Sequence, residues 1–212
     1  MGDYLRKSEW ARLDAELKKV DEDRWLSSRY AKSDQRRGLI ALYSLSHELV
    51  RIQSVVTEKT LGAIRFQWWR EALDPSHAEY PRPHDTIKAL AECVENGLFD
   101  SAALTRLVDR YETAFEASDR SAEPDGTIAA MAAQILAPAH GWSTHLREIA
   151  RHTAALKRGE SVGPGSVAPK APSGIRPAIA HFRLRWSLAS EGKLSRFRKR
   201  HLILRCMTSG RV

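Results

Sequence analysis

The chain has only two cysteines, Cys93 and Cys206, and neither belongs to a Cys-x-x-Cys pair or a Cys/His cluster. A disulfide scaffold and a zinc knuckle are thereby excluded, and a reducing compartment is the default setting. No apolar run approaches the roughly 18–20 residues that a membrane span requires. The first twenty residues mix Asp3, Glu9, Asp14 and Glu16 with basic ones, so they offer no apolar targeting segment. Strand-type alternation is missing, as is any internal repeat. Absent too are Gly-x-Gly-x-x-Gly, a Walker loop, Gly-x-Ser-x-Gly and His-Glu-x-x-His, which removes the signatures of dinucleotide enzymes, P-loop enzymes, serine hydrolases and zincins.

Acidic residues are scarce in one region only. Residues 157–212 hold 13 Lys and Arg against 2 Asp and Glu, whereas residues 1–156 hold 21 against 24. The net charge of +8 and the pI near 9.7 therefore belong to the last quarter of the chain. Composition changes at the same place. From Gly159 to Pro177, eight of nineteen residues are Gly or Pro, a density that opposes regular structure. These shifts predict a helical domain over 1–157 and a basic, poorly packed tail over 158–212. Within the tail, Ile179, Phe182 and Trp186 lie among Arg183 and Arg185, and Arg196-Phe197-Arg198-Lys199-Arg200 closes the block. Aromatics interleaved with arginines suit nucleic acid or an anionic membrane surface, and an unfolded, solvated polycation reads the same way.

Helical periodicity is what the rest of the chain does contain. Leu39, Leu42, Leu45, Leu49, Ile52 and Val56 recur at three and four residues, and Leu61, Ile64, Trp68 and Ala72 repeat the pattern up to Asp74-Pro75. Further helices are predicted over Asp85–Glu95, Ser101–Ala117, Thr127–Leu136 and Thr144–Leu156, with Thr127 as an N-cap. Three groupings on these helices invite chemistry. His145, Glu148 and His152 share a face with metal-ligand spacing, but a single helix supplies them and a polar surface explains them better. Asp109, Glu112, Glu116 and Asp119 form an acidic stripe, with Arg106 and Arg110 at salt-bridge spacing, which favours a solvated face over paired catalytic carboxylates. Trp68 and Trp69 fit core filling better than ligand stacking.

One stretch is more specific. Asp23-Arg24-Trp25-Leu26, Arg36-Arg37, Ile40-Ala41-Leu42-Tyr43, Glu48-Leu49, Val56-Thr57-Glu58-Lys59-Thr60-Leu61-Gly62 and Arg65-Phe66-Gln67-Trp68-Trp69-Arg70-Glu71-Ala72-Leu73 follow one another in an order that resembles the squalene/phytoene synthase family. Within it, the sequence is most similar to the non-catalytic branch of respiratory complex I assembly factors. The resemblance covers roughly residues 15–155. It implies an all-α, isoprenoid-synthase-type helical bundle, here incomplete, because family members continue with about a hundred further helical residues where this chain turns basic. That departure reads either as a variant tail or as a reading-frame slip.

Active members ionise an allylic diphosphate with magnesium ions, which hard carboxylate oxygens hold from two facing helices. Laid onto this chain, the first aspartate set falls on Val50, Arg51 and Ser54. The second would follow His152, where the chain reads Lys157-Arg158-Gly159-Glu160. Neither supplies the set. The resemblance therefore implies a non-catalytic assembly or binding factor without a cofactor, partnered by a respiratory-complex subunit or a prenyl or lipid ligand. Its expected place is cytoplasmic or peripheral at the inner membrane. The alternative is a prenyltransferase of isoprenoid biosynthesis, which would need Mg2+. Arg51, helped by Arg65, would be an anion or diphosphate site that works without metal, and pairing of Arg51 with Glu48 or Glu58 is the plainer expectation. A nucleic-acid binder acting through the tail rests on charge alone.

Overall fold

The computed structural model describes residues 5–74, 83–117, 124–160 and 169–212, and within them every regular element is helical. The all-α expectation holds. The chain divides into two compact units, one of residues 1–21 with 33–124 and one of residues 22–32 with 125–212.

The first unit contains α1 (Lys7–Val20), α3 (Ser33–Val55), α4 (Lys59–Leu73), α5 (Asp85–Glu95) and α6 (Ser101–Ala117). Its organising element is α3. Leu39, Leu42, Leu45 and Leu49 are fully buried and Ile52 and Val56 nearly so, as their spacing predicts. Trp10, Leu13 and Leu17 of α1, Ile87 and Leu90 of α5, and Leu104, Leu107 and Tyr111 of α6 complete the apolar interior. Polar groups within it pair with one another, Ser46 and the Tyr111 hydroxyl lying 2.8 Å apart and Gln53 Nε2 donating to the Tyr111 carbonyl at 2.8 Å.

Helix α4 departs from its periodicity. Of the expected inward stripe of Leu61, Ile64, Trp68 and Ala72, Ala72 alone is buried, and Gly62, Phe66, Trp69 and Leu73 join it while the other three are exposed. Two overlapping apolar stripes exist on this helix, and packing against α6 selects the one that contains Gly62. A methyl group at that position would overlap the ring of Phe115, so glycine permits the close approach.

The second unit is assembled from α2 (Glu22–Ser28) and everything after Pro124: α7 (Asp125–Leu136), α8 (Ser143–Lys157), α9 (Arg176–Ile179), α10 (Arg185–Glu191) and α11 (Arg196–Ser209), with 3-10 turns at Ser173–Ile175 and Ala180–Leu184. Here the sequence reading needs correction. The boundary expected near residue 157 falls inside this unit, at the end of α8. Residues 173–191 and 196–209 are helical, and Ile175, Ala178, Ile179, Phe182, Leu184, Ile203 and Cys206 are buried. Leu26 of α2 packs with Ala180, Leu184, Ile203 and Cys206, flanked by Trp25, Leu188, Leu202 and Val212. The basic composition misleads because most cations lie outside a narrow apolar stripe that does the packing, and those that turn inward are held, Arg176 and Arg185 by main-chain carbonyls and Lys199 by Glu22 and Asp23. Much of the expected Gly/Pro linker, residues 161–168, lies outside the described residues. Thr127 is not an N-cap either, since α7 already begins at Asp125.

Main-chain bonds close the end of the tail. Ala171 N–H donates to Gly210 O at 2.7 Å, and Arg176 donates to the carbonyls of Ala171 and Met207 at 3.0 and 2.7 Å. Gly210 caps α11 with φ +70°, and a Cβ there would stand 2.8 Å from the Ala171 carbonyl. Ser27 Oγ donates to Pro177 O at 2.7 Å, which ties α2 to the start of this segment.

Candidate functional site

The positions that the sequence reading singled out meet in the first unit, where α3 runs into α4. A cleft of about 190 Å³ is lined by Glu48, Arg51, Ile52, Arg65, Trp68, Trp69 and His84. Helix α3 ends at Val55, and the short turn to α4 places the last turns of one helix beside the first turns of the next. Arg51 and Arg65, seen in the sequence only as residues fourteen apart, thereby line the same space. Arg51 also makes the plainer contact, with its NH1 3.5 Å from Glu48 Oε2 one helical turn away. The Arg51 side of that pair is largely solvent-exposed, so the contact holds the guanidinium loosely. Arg65 enters no ion pair among the described residues.

The two tryptophans divide their work. Trp69 is 4% exposed and belongs to the core, whereas Trp68 is 36% exposed and forms a wall of the cleft. Their rings meet edge to face at 5.2 Å, and His84, just before α5, stands edge-on to both at 6.2 and 5.3 Å. The cleft thus has an aromatic wall and a cationic rim. It continues into an apolar surface: among the described residues, five of the ten exposed large apolar side chains are Val50, Val55, Leu61, Ile64 and Trp68, all on α3 or α4. Val55 and Ile64 are 63% and 61% exposed. Apolar exposure concentrated on one helical hairpin marks an interaction surface.

The other groupings take structural roles. Arg70 of α4 donates through Nε to Asp109 at 2.7 Å and through NH2 to Glu112, so the acidic stripe of α6 serves to hold α4. Arg106, expected to pair along its own helix stripe, bonds Asp100 at 3.3 Å instead. Asp119 lies outside the described residues. His145 packs its ring on Trp142 at 5.1 Å. Among the described residues, no three His, Cys, Asp or Glu side chains converge as a metal group. The sequence reading missed an ionic cluster in the second unit. Arg24 donates to Asp125 at 2.7 Å, with both side chains mostly buried, and Lys157 stands 3.5 Å from the same carboxylate. Burial pushes the Asp125 carboxyl up, but Arg24 and Lys157 outweigh it and hold the group down at about 2. Burial, with Arg24 adding to it, drives His181 well below the ordinary imidazole value. Only the Arg24 side of this cluster lies in the motif-bearing stretch, so nothing in the sequence linked it to Asp125. Burial likewise pushes the thiols of Cys93 and Cys206 up to about 12 and about 11, which leaves them inert at neutral pH.

Comparison with known proteins places this hairpin in a lineage. The squalene/phytoene synthase family profile matches residues 17–133, more than half of the chain. The chain belongs to the squalene/phytoene synthase family. Curated relatives include proteins named NADH dehydrogenase (ubiquinone) complex I, assembly factor 6. That of Rattus norvegicus is 28% identical over 45% of this chain, and those of Mus musculus and Homo sapiens are 29% and 28% identical over the same share. Each match spans 29% of the relative's own length. No solved structure matches the chain.

Within the family-matched span, the positions laid against the first aspartate set do not fit magnesium. Val50 and Ser54 are exposed, Ser54 Oγ donates to the Arg51 carbonyl at 3.0 Å, and Arg51 brings positive charge. Among the described residues, the one carboxylate that lines the cleft is Glu48, and it faces that guanidinium. A divalent cation needs several oxygen ligands and no adjacent cation.

Proposed function

We propose that this protein is a non-catalytic binding or assembly factor that uses a squalene/phytoene-synthase scaffold, and that its working surface is the α3–α4 hairpin. One observation carries the reading: the positions aligned with the metal-binding aspartates are Val50, Arg51 and Ser54, while the surrounding helices and their buried core are kept. Prenyl transfer needs metal to neutralise the departing diphosphate, so a cleft with a guanidinium at that place has lost the chemistry and retained a shape. The relatives named as complex I assembly factors support a respiratory-complex subunit as the client. The exposed Val55, Leu61, Ile64 and Trp68 supply the apolar contact such a client would cover.

Within that surface the cleft is a metal-free anion site. Arg51 and Arg65 take a phosphate or carboxylate group, and Trp68 bounds the space beside it. A prenyl or lipid ligand would enter on these terms.

The test is capture of the tagged chain from cells that assemble respiratory complex I. Complex I subunits are expected with the wild type and lost with Ile64→Asp, an exposed position whose change spares the core. Recovery unaffected by Ile64→Asp counts against the hairpin, and the absence of respiratory subunits counts against the assembly role. Incubation with farnesyl diphosphate and magnesium should yield no squalene-type product, and chelator-sensitive turnover would restore the enzyme reading. Diphosphate should bind without magnesium and fail to bind Arg51→Ala.

A further inference from the structure

Helix α11 carries a surface that its own fold does not explain. Its inward stripe of Lys199, Ile203, Cys206 and Gly210 packs in the second unit, where Ile203 and Cys206 are fully buried. On the other side Phe197, Arg200, His201 and Leu204 recur at three and four residues, with Arg205 beside them, and all five are exposed. Phe197 is 86% exposed and Leu204 49%, the former the most exposed large apolar side chain among the described residues. Leaving a phenylalanine in water has no folding advantage.

Charge identifies the occupant. From Gly192 to Val212 there are seven Lys or Arg and no Asp or Glu. Arg196 and Lys199 are engaged by Glu22 at 2.9 and 3.1 Å, and Arg198 by Glu191 at 2.7 Å. Lys193, Arg200 and Arg205 enter no ion pair among the described residues, so the cations nearest the Phe197–Leu204 stripe remain available. No helix is long and apolar enough to cross a membrane among those residues. Exposed apolar side chains flanked by unneutralised cations are the chemistry of a helix lying flat in a lipid headgroup layer, the aromatic ring entering the acyl boundary and the guanidiniums meeting phosphate. Single-stranded nucleic acid would use the same cations, but it stacks on aromatic faces and has no place for Leu204.

We propose that the exposed face of α11, Phe197, Arg200, His201, Leu204 and Arg205, docks the protein on an anionic phospholipid surface. Flotation of the purified full chain with vesicles tests it. Binding is expected to vesicles containing about 30% phosphatidylglycerol, to be absent with phosphatidylcholine alone, and to weaken with salt. Removing two cations with Arg200→Gln and Arg205→Gln should weaken binding about thirtyfold, at roughly 1 kcal/mol per charge near the surface. Phe197→Ser should weaken it about tenfold or more, and both sets of changes lie on exposed positions that leave the core intact. Equal binding to neutral vesicles, no binding at all, or unchanged binding by Phe197→Ser would overturn the proposal. So would single-stranded RNA that binds more tightly than the vesicles and displaces the chain from them.

Discussion

The two units solve the same problem, the packing of short helices, with opposite electrostatics. The first holds 16 Lys and Arg against 20 Asp and Glu, and the second 18 against 6. In the first unit the ion pairs flank a Leu-rich core, and most, such as Arg12 with Asp85 at 2.6 Å, have one solvent-exposed partner, while Arg70 with Glu112 is more enclosed. The second unit instead buries an ion pair, Arg24 with Asp125, beside a core that runs from Ile128 and Leu146 to Ile179, Phe182 and Ile203. Pairs at a solvated periphery contribute little, whereas a charge buried with its partner is costly to strand, so losing one partner should count for more in the second unit.

The sharpest way to break this comparison is to end the chain after Glu160. That removes Ala180, Leu184, Ile203 and Cys206 from around Leu26. Hydrogen exchange should show protection lost throughout α2, α7 and α8 and kept in α3 and α6. Protection retained in α7 and α8 would mean that the tail is an accessory after all.

Next in size is Arg24→Ala, which strands the buried Asp125 carboxylate and should cost about 3–5 kcal/mol in urea unfolding of the second unit. A loss under 1 kcal/mol would show that Lys157 suffices as partner. In the first unit the tryptophans offer a matched contrast. Trp69→Ala should cost about 3–5 kcal/mol, as core truncations do. Trp68→Ala should cost well under that and act on ligand or client binding instead. Equal destabilisation by the two would remove Trp68 from the cleft surface.

The smallest expected effect is pH dependence in the second unit. The folded state depresses the imidazole of His181, so the unfolded chain binds the proton more readily. Stability from this group is present above the unfolded value near 6.5 and is lost as pH falls below it. Asp125 adds a second loss below its ordinary value of 3.8, down to about 2. Thermal unfolding at pH 7.5 and pH 5 should therefore show a lower midpoint at pH 5 that His181→Gln diminishes. A midpoint that is flat between these values would discount the histidine.

The helices of the first unit are legible because their apolar residues recur at helical spacing, and the starts and stops of Asp85–Glu95 and Ser101–Ala117 follow that pattern to the residue, whereas the burial of α3 on all sides from Gly38 to Ser46 does not show in its stripe. The site was legible in part. The motif order brought out Arg51, Arg65 and the tryptophan pair, but only the α3–α4 turn shows that these line one cleft and that Trp68 faces it while Trp69 does not.

Local sequence thus determined the helical class, the hairpin and the loss of carboxylates at Val50, Arg51 and Ser54, since each depends on residue identity at short spacing. Tertiary structure alone decided which of the two stripes on α4 faces inward, since Gly62 gains its meaning from Phe115, far along the chain. It alone placed α2 with the C-terminal helices and paired Arg24 with Asp125 across a hundred residues. Composition reports how many charges a segment has, but burial depends on where they point, and Ile203 and Cys206, one turn apart and fully buried, seat α11 despite the cations around them.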